Sequence, residues 1–199
     1  MNTTKSALIL VDCQNDFLTE NGALYSAVVD SVRANDVVQN INRSIESARK
    51  QGIPIIFTSM SFSEDFSEMG ENPYGILAAV KQAGGFVRDS WGSAIAEGIN
   101  VNEGDMVIQK STMCAFKQTN LKETLNEQGI NRLVFGGLVT DLCLETSIRS
   151  AYDLGYEAIS LVDCMASLSQ SAHISSVEEN FPLFSKPMTH DLFIKALAG

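Results

Sequence analysis

The fold is decided near the start of the chain by residues 7–17, ALILVDCQNDF. Their first part, Ala7 to Val11, is an unbroken aliphatic run, which is typical of a β-strand buried on both faces in the middle of a parallel sheet. The run ends at Asp12, so we expect a carboxylate at the carboxyl end of this strand. It is too short for a signal-peptide core or a membrane span, and we therefore predict a cytoplasmic protein.

Strand and helix patterns alternate along the rest of the chain. Helical spacing of apolar residues begins at Asn35 and stops at Gly52, and helices are also expected near Ile76–Gln82, Asn120–Gln128, Asp141–Leu154 and Ala172–Phe181. The further strands are predicted at Ile53–Thr58, Met106–Lys110, Leu133–Phe135, Ala158–Val162 and Ser185–Met188. Repeated β-α-β units predict an α/β fold: a doubly wound, mostly parallel six-stranded sheet with helices on both faces, in one domain over residues 1–199.

Composition excludes several classes of partner. The 199 residues carry 14 Lys and Arg against 24 Asp and Glu, a net charge of -10 that repels nucleic acids and anionic membranes. The four cysteines form no C-x-x-C pair, and the two histidines, His173 and His190, have no close histidine partner. We therefore expect reduced thiols, no metal site and no cofactor, with a small molecule as the substrate.

Three residues at predicted strand ends are able to carry chemistry. Asp12 is placed to exchange protons, although a capping role for Asp12 or Asp16 explains the same pattern about equally well. Lys110 ends another strand and is able to pair with Asp12, although taken alone it fits a lysine that extends from a strand end into solvent. Because ligands bind at the carboxyl ends of such strands, we expect these groups in one site.

Cys143 follows the glycine-led turn Gly136–Asp141, which leads from a strand into a helix. Thr140 or Asp141 is expected to cap the helix, which leaves Cys143 in its first turn, where free amides and the helix dipole favour a thiolate. The same amides are suited to stabilising an oxyanion. A lone cysteine in a helix is more often a small buried apolar residue, so Cys143 by itself does not establish a reaction.

Taken together, these segments resemble the isochorismatase-like cysteine hydrolases, which include nicotinamidases, N-carbamoylsarcosine amidases and ureidoacrylate amidases. The resemblance is carried by residues 7–17, by Gly104-Asp105 through Lys110 to Ala115-Phe116, by Gly137 to Thr146, and by Ala151 to Tyr156. It implies the family's three-layer α/β sandwich. It also implies a catalytic triad at the matching positions, Asp12, Lys110 and Cys143.

The resemblance further implies a non-proline cis peptide at Leu138–Val139, which places both residues beside the substrate and directs the Val139 and Cys143 amides toward the oxyanion. Phe17, Trp91 and Phe116 are predicted pocket walls, because each lies near a motif or in the irregular segment between Ser59 and Asp105. Ordinary core packing explains these three aromatic residues equally well.

Two departures from the family pattern narrow the substrate. Nicotinamidases carry a histidine-rich metal site after the second strand, but the corresponding residues here, 58–65, contain no histidine. Family members that cleave the vinyl ether of isochorismate typically lack the cysteine. Cys143 therefore favours hydrolysis of a carbon–nitrogen bond in a small amide or ureido compound through a thioester intermediate.

Two alternatives stay open at this point. One is ether hydrolysis that uses Asp12 without covalent catalysis, and the other is a non-catalytic protein in which Cys143 senses oxidants. The family commonly forms dimers or tetramers, so we also predict a homodimer or homotetramer. The late apolar residues Ile174, Val177, Phe181 and Leu183 are candidates for that contact or for packing on the sheet.

Overall fold

A computed structural model describes residues 3–198, so residues 1, 2 and 199 of the predicted domain lie outside the described residues. Within this range, one sheet has six strands in the order β3-β2-β1-β4-β5-β6, and every neighbouring pair is parallel. The strands are β1 Ser6–Val11, β2 Ile55–Met60, β3 Met106–Lys110, β4 Arg132–Leu138, β5 Glu157–Ala166 and β6 Lys186–Met188. The predicted α/β fold class is confirmed.

Eight α-helices connect or flank these strands in the described part of the chain. They are α1 Asn15–Leu18, α2 Tyr25–Ala34, α3 Val37–Lys50, α4 Gly75–Ala83, α5 Leu121–Glu127, α6 Glu145–Asp153, α7 Gln170–Ser175 and α8 His190–Ala198. Each helix within residues 3–198 is too short or too polar to cross a membrane.

The first strand is buried on both faces, as its aliphatic run predicts. Leu8 and Leu10 join an apolar cluster that includes residues of α3 and α8, whereas Ala7, Ile9 and Val11 join a second cluster with residues of α5 and α6. Since successive side chains of a strand point to opposite faces, β1 forms the centre of both layers.

The strand order reverses at β1, which pairs with β2 on one side and with β4 on the other. An open parallel sheet leaves a crevice beyond the carboxyl ends of its strands at such a reversal. Asp12 directly follows β1, and Lys110 is the last residue of β3. The topology therefore brings residues far apart in sequence to one edge of the sheet.

The late part of the chain differs from the predicted helix over Ala172–Phe181. Helix α7 ends at Ser175 and is followed by a π-helical turn, Ser176–Asn180, and a 3-10 turn, Phe181–Leu183. Of the four apolar residues considered for a subunit contact, Phe181 is fully buried and Val177 packs against the same core cluster, whereas Ile174 and Leu183 are exposed. The oligomeric state stays a prediction.

Candidate active site

Asp12 turns the chain out of β1 in a left-handed conformation, with φ of 53°. Aspartate is one of the few residues besides glycine that adopts this conformation readily. The turn is held by the Asp12 amide, which donates to the Thr58 carbonyl of β2 at 2.7 Å. The carboxylate is completely buried and lies at the carboxyl edge of the sheet.

Lys110 forms a buried ion pair with Asp12. Its Nζ lies 2.9 Å from Asp12 Oδ2, and neither side chain is exposed to solvent. The same ammonium also contacts Met60 Sδ at 2.9 Å and donates to the Thr112 carbonyl at 3.2 Å. The predicted pairing of Lys110 with Asp12 is confirmed, and the alternative of a solvent-exposed Lys110 is excluded.

The other carboxylate oxygen, Asp12 Oδ1, is buried and has no nitrogen or oxygen donor among the described residues. Burial raises the pKa of Asp12, whereas Lys110 and the nearby Cys143 thiol lower it. Asp12 thus contacts the lysine through one oxygen, and its second oxygen has no such partner.

Cys143 is placed by a tight passage from β4 into α6. Gly137, with φ of 119°, approaches β1 so closely that a β-carbon there would overlap the Val11 carbonyl oxygen. The Leu138–Val139 peptide is cis, at the position that the family resemblance implies. Cys143 then lies in a π-helical turn, Thr140–Leu144, that precedes α6.

The predicted capping of this helix by Thr140 or Asp141 is wrong. Both side chains point to a different part of the protein: Thr140 Oγ1 contacts His173 Nδ1 at 2.9 Å, and Asp141 Oδ1 accepts a hydrogen bond from Ser167 Oγ. The turn is held instead by Ser147, whose Oγ donates to the Cys143 carbonyl at 2.6 Å and accepts from the Ala115 amide at 2.9 Å.

Burial dominates the titration of the site. It raises the pKa of the Cys143 thiol well above its usual range; Lys110 opposes this effect, and Asp12 adds to it. Desolvation therefore opposes the thiolate that the helix start and Lys110 favour. With its pKa raised, the thiol needs a base to accept its proton.

Asp12 lines the same cavity as this thiol. Burial raises the pKa of Asp12 above its ordinary value of 3.8, and the positive charge and hydrogen bond of Lys110 limit that rise. Burial alone lowers the pKa of Lys110, but attraction to Asp12 and Cys143 raises it overall, which keeps the lysine charged. The arrangement combines a buried cation, a carboxylate and a thiol.

A small enclosed cavity of about 20 Å³ lies beside these groups. It is lined by Asp12, Phe17, Met60, Ile76, Leu77, Val80, Phe86, Met113, Val139, Leu142 and Cys143. Phe17 and Val139 are therefore part of the wall, as predicted for a pocket, although their contact with substrate stays a prediction.

Three other predicted substrate-binding residues lie outside this cavity. The Trp91 side chain is turned outward, with 47% of the residue exposed and its Nε1 donating to Glu97 Oε1. Phe116 stacks on Tyr156, with ring centroids 5.9 Å apart, in the cluster on the α5 and α6 side. Leu138 is fully buried in the opposite core cluster. The structure does not bring Trp91, Phe116 or the Leu138 side chain to the cavity.

Two residues, Gln14 and Asp16, position the site in ways that the sequence did not predict. Gln14 bridges to β2, because its Nε2 donates to the Met60 carbonyl and its Oε1 accepts from the Met60 amide, both at 2.8 Å. Asp16 accepts hydrogen bonds from the Ala23 and Phe86 amides and so fixes the wall residue Phe86. The density of polar residues directly after a buried strand is the sequence signal for these roles.

Among the residues that the structure describes, no cluster of three or more His, Cys, Asp or Glu side chains is arranged to hold a metal ion. His190 instead contacts Asp163 Oδ2 through Nδ1 at 2.7 Å. His173 contacts Thr140.

The chain is similar to known proteins over most of its length. A family model described as the isochorismatase domain matches residues 6–191. Ureidoacrylate amidohydrolase RutB of Rhizobium rhizogenes is 29% identical over 196 residues, covering 91% of this chain and 80% of that protein.

Solved structures show the same fold. A cysteine hydrolase from Pseudomonas syringae pv. phaseolicola superimposes with a TM-score of 0.84 at 22% identity, over 100% of this chain and 94% of the other. N-carbamoylsarcosine amidase from Thermoplasma acidophilum superimposes with a TM-score of 0.72 at 23% identity, over 94% and 97% of the two chains.

Proposed function

Because the chain belongs to the isochorismatase family and is an amidohydrolase of non-peptide carbon–nitrogen bonds, we propose that Asp12, Lys110 and Cys143 are its catalytic groups. The observation that carries this proposal is the fully buried Lys110–Asp12 pair, whose carboxylate shares a cavity with the Cys143 thiol. An isolated buried ion pair contributes little net stability, so its presence beside a nucleophile favours a functional role.

In the first half of the reaction, Asp12 Oδ1 accepts the Cys143 proton and the sulfur attacks the substrate carbonyl carbon. The new carbon–sulfur bond forms as the carbonyl electron pair moves to oxygen, where the Val139 and Cys143 amides are expected to stabilise it. A backbone hydrogen bond at Val139 lowers the pKa of Cys143, which supports an amide directed at the reacting atoms. The carbon–nitrogen bond then breaks, and Asp12 returns the proton to the departing ammonia or amine.

In the second half, water replaces the amine. Asp12 removes a proton from the water and the hydroxyl adds to the thioester carbon. The carbon–sulfur bond then breaks to release the acid, and Asp12 returns the proton to the sulfur, which restores the thiol. Lys110 keeps its charge throughout and limits the free-energy cost of ionising Asp12 in a buried site.

Ether hydrolysis and redox sensing are less consistent with this site. A redox-sensing thiol is usually an exposed thiolate, whereas Cys143 is buried and burial raises its pKa. Non-covalent ether hydrolysis has no need of the thiol beside Asp12. Neither alternative accounts for all three groups.

The test is ammonia release from a panel of small amides and ureido compounds by the wild type, Cys143→Ala and the matched control Cys114→Ala. Cys114 is the partly exposed cysteine, whereas Cys13 and Cys164 are buried. We expect Cys143→Ala to lose turnover by at least about 1,000-fold, as for loss of a covalent nucleophile, and Cys114→Ala to retain it. Full activity of Cys143→Ala contradicts the mechanism.

Alkylation by iodoacetamide gives a second test, but only in the Cys114→Ala background, since Cys114 is the more accessible thiol. Loss of turnover in step with modification of Cys143, followed by mass spectrometry, supports a thioester route. Turnover that persists after complete modification of Cys143 supports ether hydrolysis or another reaction.

We also propose that the enzyme acts in the cytoplasm as a homodimer or homotetramer on a small-molecule substrate. The four free cysteines are consistent with a reducing compartment. Cell fractionation and light scattering test the two parts separately.

A further inference from the structure

The cavity beside Cys143 is lined almost entirely by apolar side chains, although an amide is a polar substrate. Apart from Asp12 and Cys143, every lining residue has an apolar side chain. The eleven lining residues include no Arg, Lys or His. The wall therefore offers a substrate apolar contacts and little else beyond the reacting groups.

The nearby cations are already committed. Lys110 is bonded to Asp12, Met60 and Thr112. Arg88, in the irregular segment between Ser59 and Asp105, pairs with Glu68 at 2.8 Å, donates to Ser61 Oγ at 3.3 Å and does not line the cavity. A carboxylate on the substrate would lie in this cavity without a counter-charge, close to the negative charge of Asp12.

From this composition, we infer that the substrate is a neutral amide or urea whose substituent is apolar, and that the α4 residues Ile76, Leu77 and Val80 select it. The inference rests on the proposed function and specifies its substrate class. Moving an unpaired carboxylate from water into an apolar site is strongly unfavourable, whereas moving a branched alkyl group from water into the same site is favourable. Ureidoacrylate, the substrate in the names of several relatives, carries such a carboxylate.

The cavity is too small for a substrate, so we expect α4 to move when one binds. About 20 Å³ holds little more than one water molecule, which is less than an acyl group needs. Ile76 and Leu77 are only partly buried, and α4 is bounded by Gly75 and Gly84, both with positive φ. A substrate therefore has to displace this helix or its side chains. The contacts that the lining residues make with one another are then replaced by contacts with the apolar group of the substrate.

The first experiment compares two matched pairs of substrates by ammonia release. The compounds 4-methylpentanamide and succinamate have the same number of heavy atoms and differ in an isopropyl group against a carboxylate. Isopentylurea and 3-ureidopropionate make the equivalent pair for ureido chemistry. In at least one pair, we expect kcat/KM for the neutral member to be higher by about 100-fold. A preference below about tenfold in both pairs overturns the inference.

A variant pair places a charge on the wall. Leu77→Arg adds a cation to the cavity, whereas Ala79→Arg adds the same charge to an exposed position of the same helix. We expect Leu77→Arg to shift the preference toward the anionic member by at least about tenfold, because the new cation pairs with the carboxylate. Ala79→Arg should leave the preference unchanged, and an equal shift in both variants contradicts selection by the wall.

Binding of matched aldehydes decides the inference without relying on turnover or on a variant. The Cys143 sulfur adds to an aldehyde carbon, and the thiol proton ends on the aldehyde oxygen, which gives a reversible thiohemiacetal. By calorimetry, we expect 4-methylpentanal to bind the wild type at least about tenfold more tightly than succinic semialdehyde. Equal binding, tighter binding of the anion, or no binding of 4-methylpentanal overturns the inference. Ammonia release that survives in Cys143→Ala instead overturns the proposed function, so the two failures are distinguishable.

Discussion

Ser147 Oγ lies 2.6 Å from the carbonyl oxygen of Cys143 and donates a hydrogen bond to it. The same hydroxyl accepts from the Ala115 amide, so one buried side chain joins the turn that carries the thiol to the loop that follows Lys110. The orientation of the thiol therefore depends on a residue that does not line the cavity.

Ser147→Ala tests this link. Removing the hydroxyl leaves the buried Ala115 amide without its acceptor and loosens the Cys143 turn, so we expect about 1–3 kcal/mol less stability and a kcat about tenfold lower with KM little changed. Ser150→Ala is the matched control, because Ser150 Oγ makes the same type of bond to the Thr146 carbonyl on the same helix. Steady-state kinetics and urea unfolding measure both variants, and a similar fall in kcat for Ser150→Ala would argue against a specific role.

The pH profile of kcat/KM tests the role of Asp12. Asp12 has to be ionised to accept the thiol proton, so activity falls as pH falls through its pKa. Burial raises that pKa above 3.8, and the acid limb is therefore expected above the pH at which an ordinary aspartate titrates. An acid limb at or below pH 3.8 contradicts this assignment.

Lys110→Met removes the positive charge of Lys110 but keeps a side chain of similar length, and its effect is measured in the same pH profile of kcat/KM. Lys110 lowers the pKa of Asp12, so its loss is expected to move the acid limb of kcat/KM to higher pH. Lys122→Met removes an exposed lysine on α5 and is expected to leave the limb in place. An unchanged limb in Lys110→Met would show that the lysine does not control the ionisation of Asp12.

A double-mutant cycle measures the ion pair itself. Removing either partner alone leaves a buried charge uncompensated, and we expect Lys110→Met to cost about 3–5 kcal/mol of the free energy of unfolding. Asp12→Asn combined with Lys110→Met should be less destabilising than the sum of the two single changes by at least about 1 kcal/mol. Additive effects in urea unfolding would mean that the pair is not coupled in the folded protein.

Gly137→Ala probes the close approach of β4 to β1. The added β-carbon would overlap the Val11 carbonyl oxygen in a backbone conformation with φ of 119°, so we expect a loss of about 3 kcal/mol or more in stability. Gly104→Ala is the control, because no atom lies within 4 Å of a β-carbon there, and its effect should stay within about 0.5 kcal/mol. Equal stability of the two variants, compared by thermal unfolding, would contradict this explanation.

The sheet and the positions of Asp12, Lys110 and Cys143 follow from sequence because short-range signals determine them. An unbroken aliphatic run defines β1 and a short apolar run, Met106–Ile108, begins β3; the observed ends of these strands at Val11 and Lys110 match the predicted ones. Parallel topology then brings their carboxyl ends together without any knowledge of side-chain contacts. The glycine pair before Leu138 similarly marks the passage that carries Cys143.

The walls of the cavity could not be predicted in the same way. Phe86 reaches the cavity because its amide binds Asp16, a residue 70 positions earlier, and Trp91 turns outward toward Glu97. Such choices depend on tertiary contacts of the stretch that follows α4, where neither a period of 2 nor one of 3.6 is present. The raised pKa of the Cys143 thiol was not predictable for a related reason, since a helix start is readable from the local sequence but the degree of burial is not.

Two parts of the chain form the cavity and its site. Asp12, Lys110 and Cys143 all lie at or just beyond strand ends, whereas four wall residues, Ile76, Leu77, Val80 and Phe86, come from the segment between β2 and β3. Substitutions in that segment alter the shape and polarity of the cavity without moving the sheet. Specificity and reaction are therefore separable in this fold: changes between β2 and β3 would alter what the cavity accepts while the residues at the strand ends stay in place.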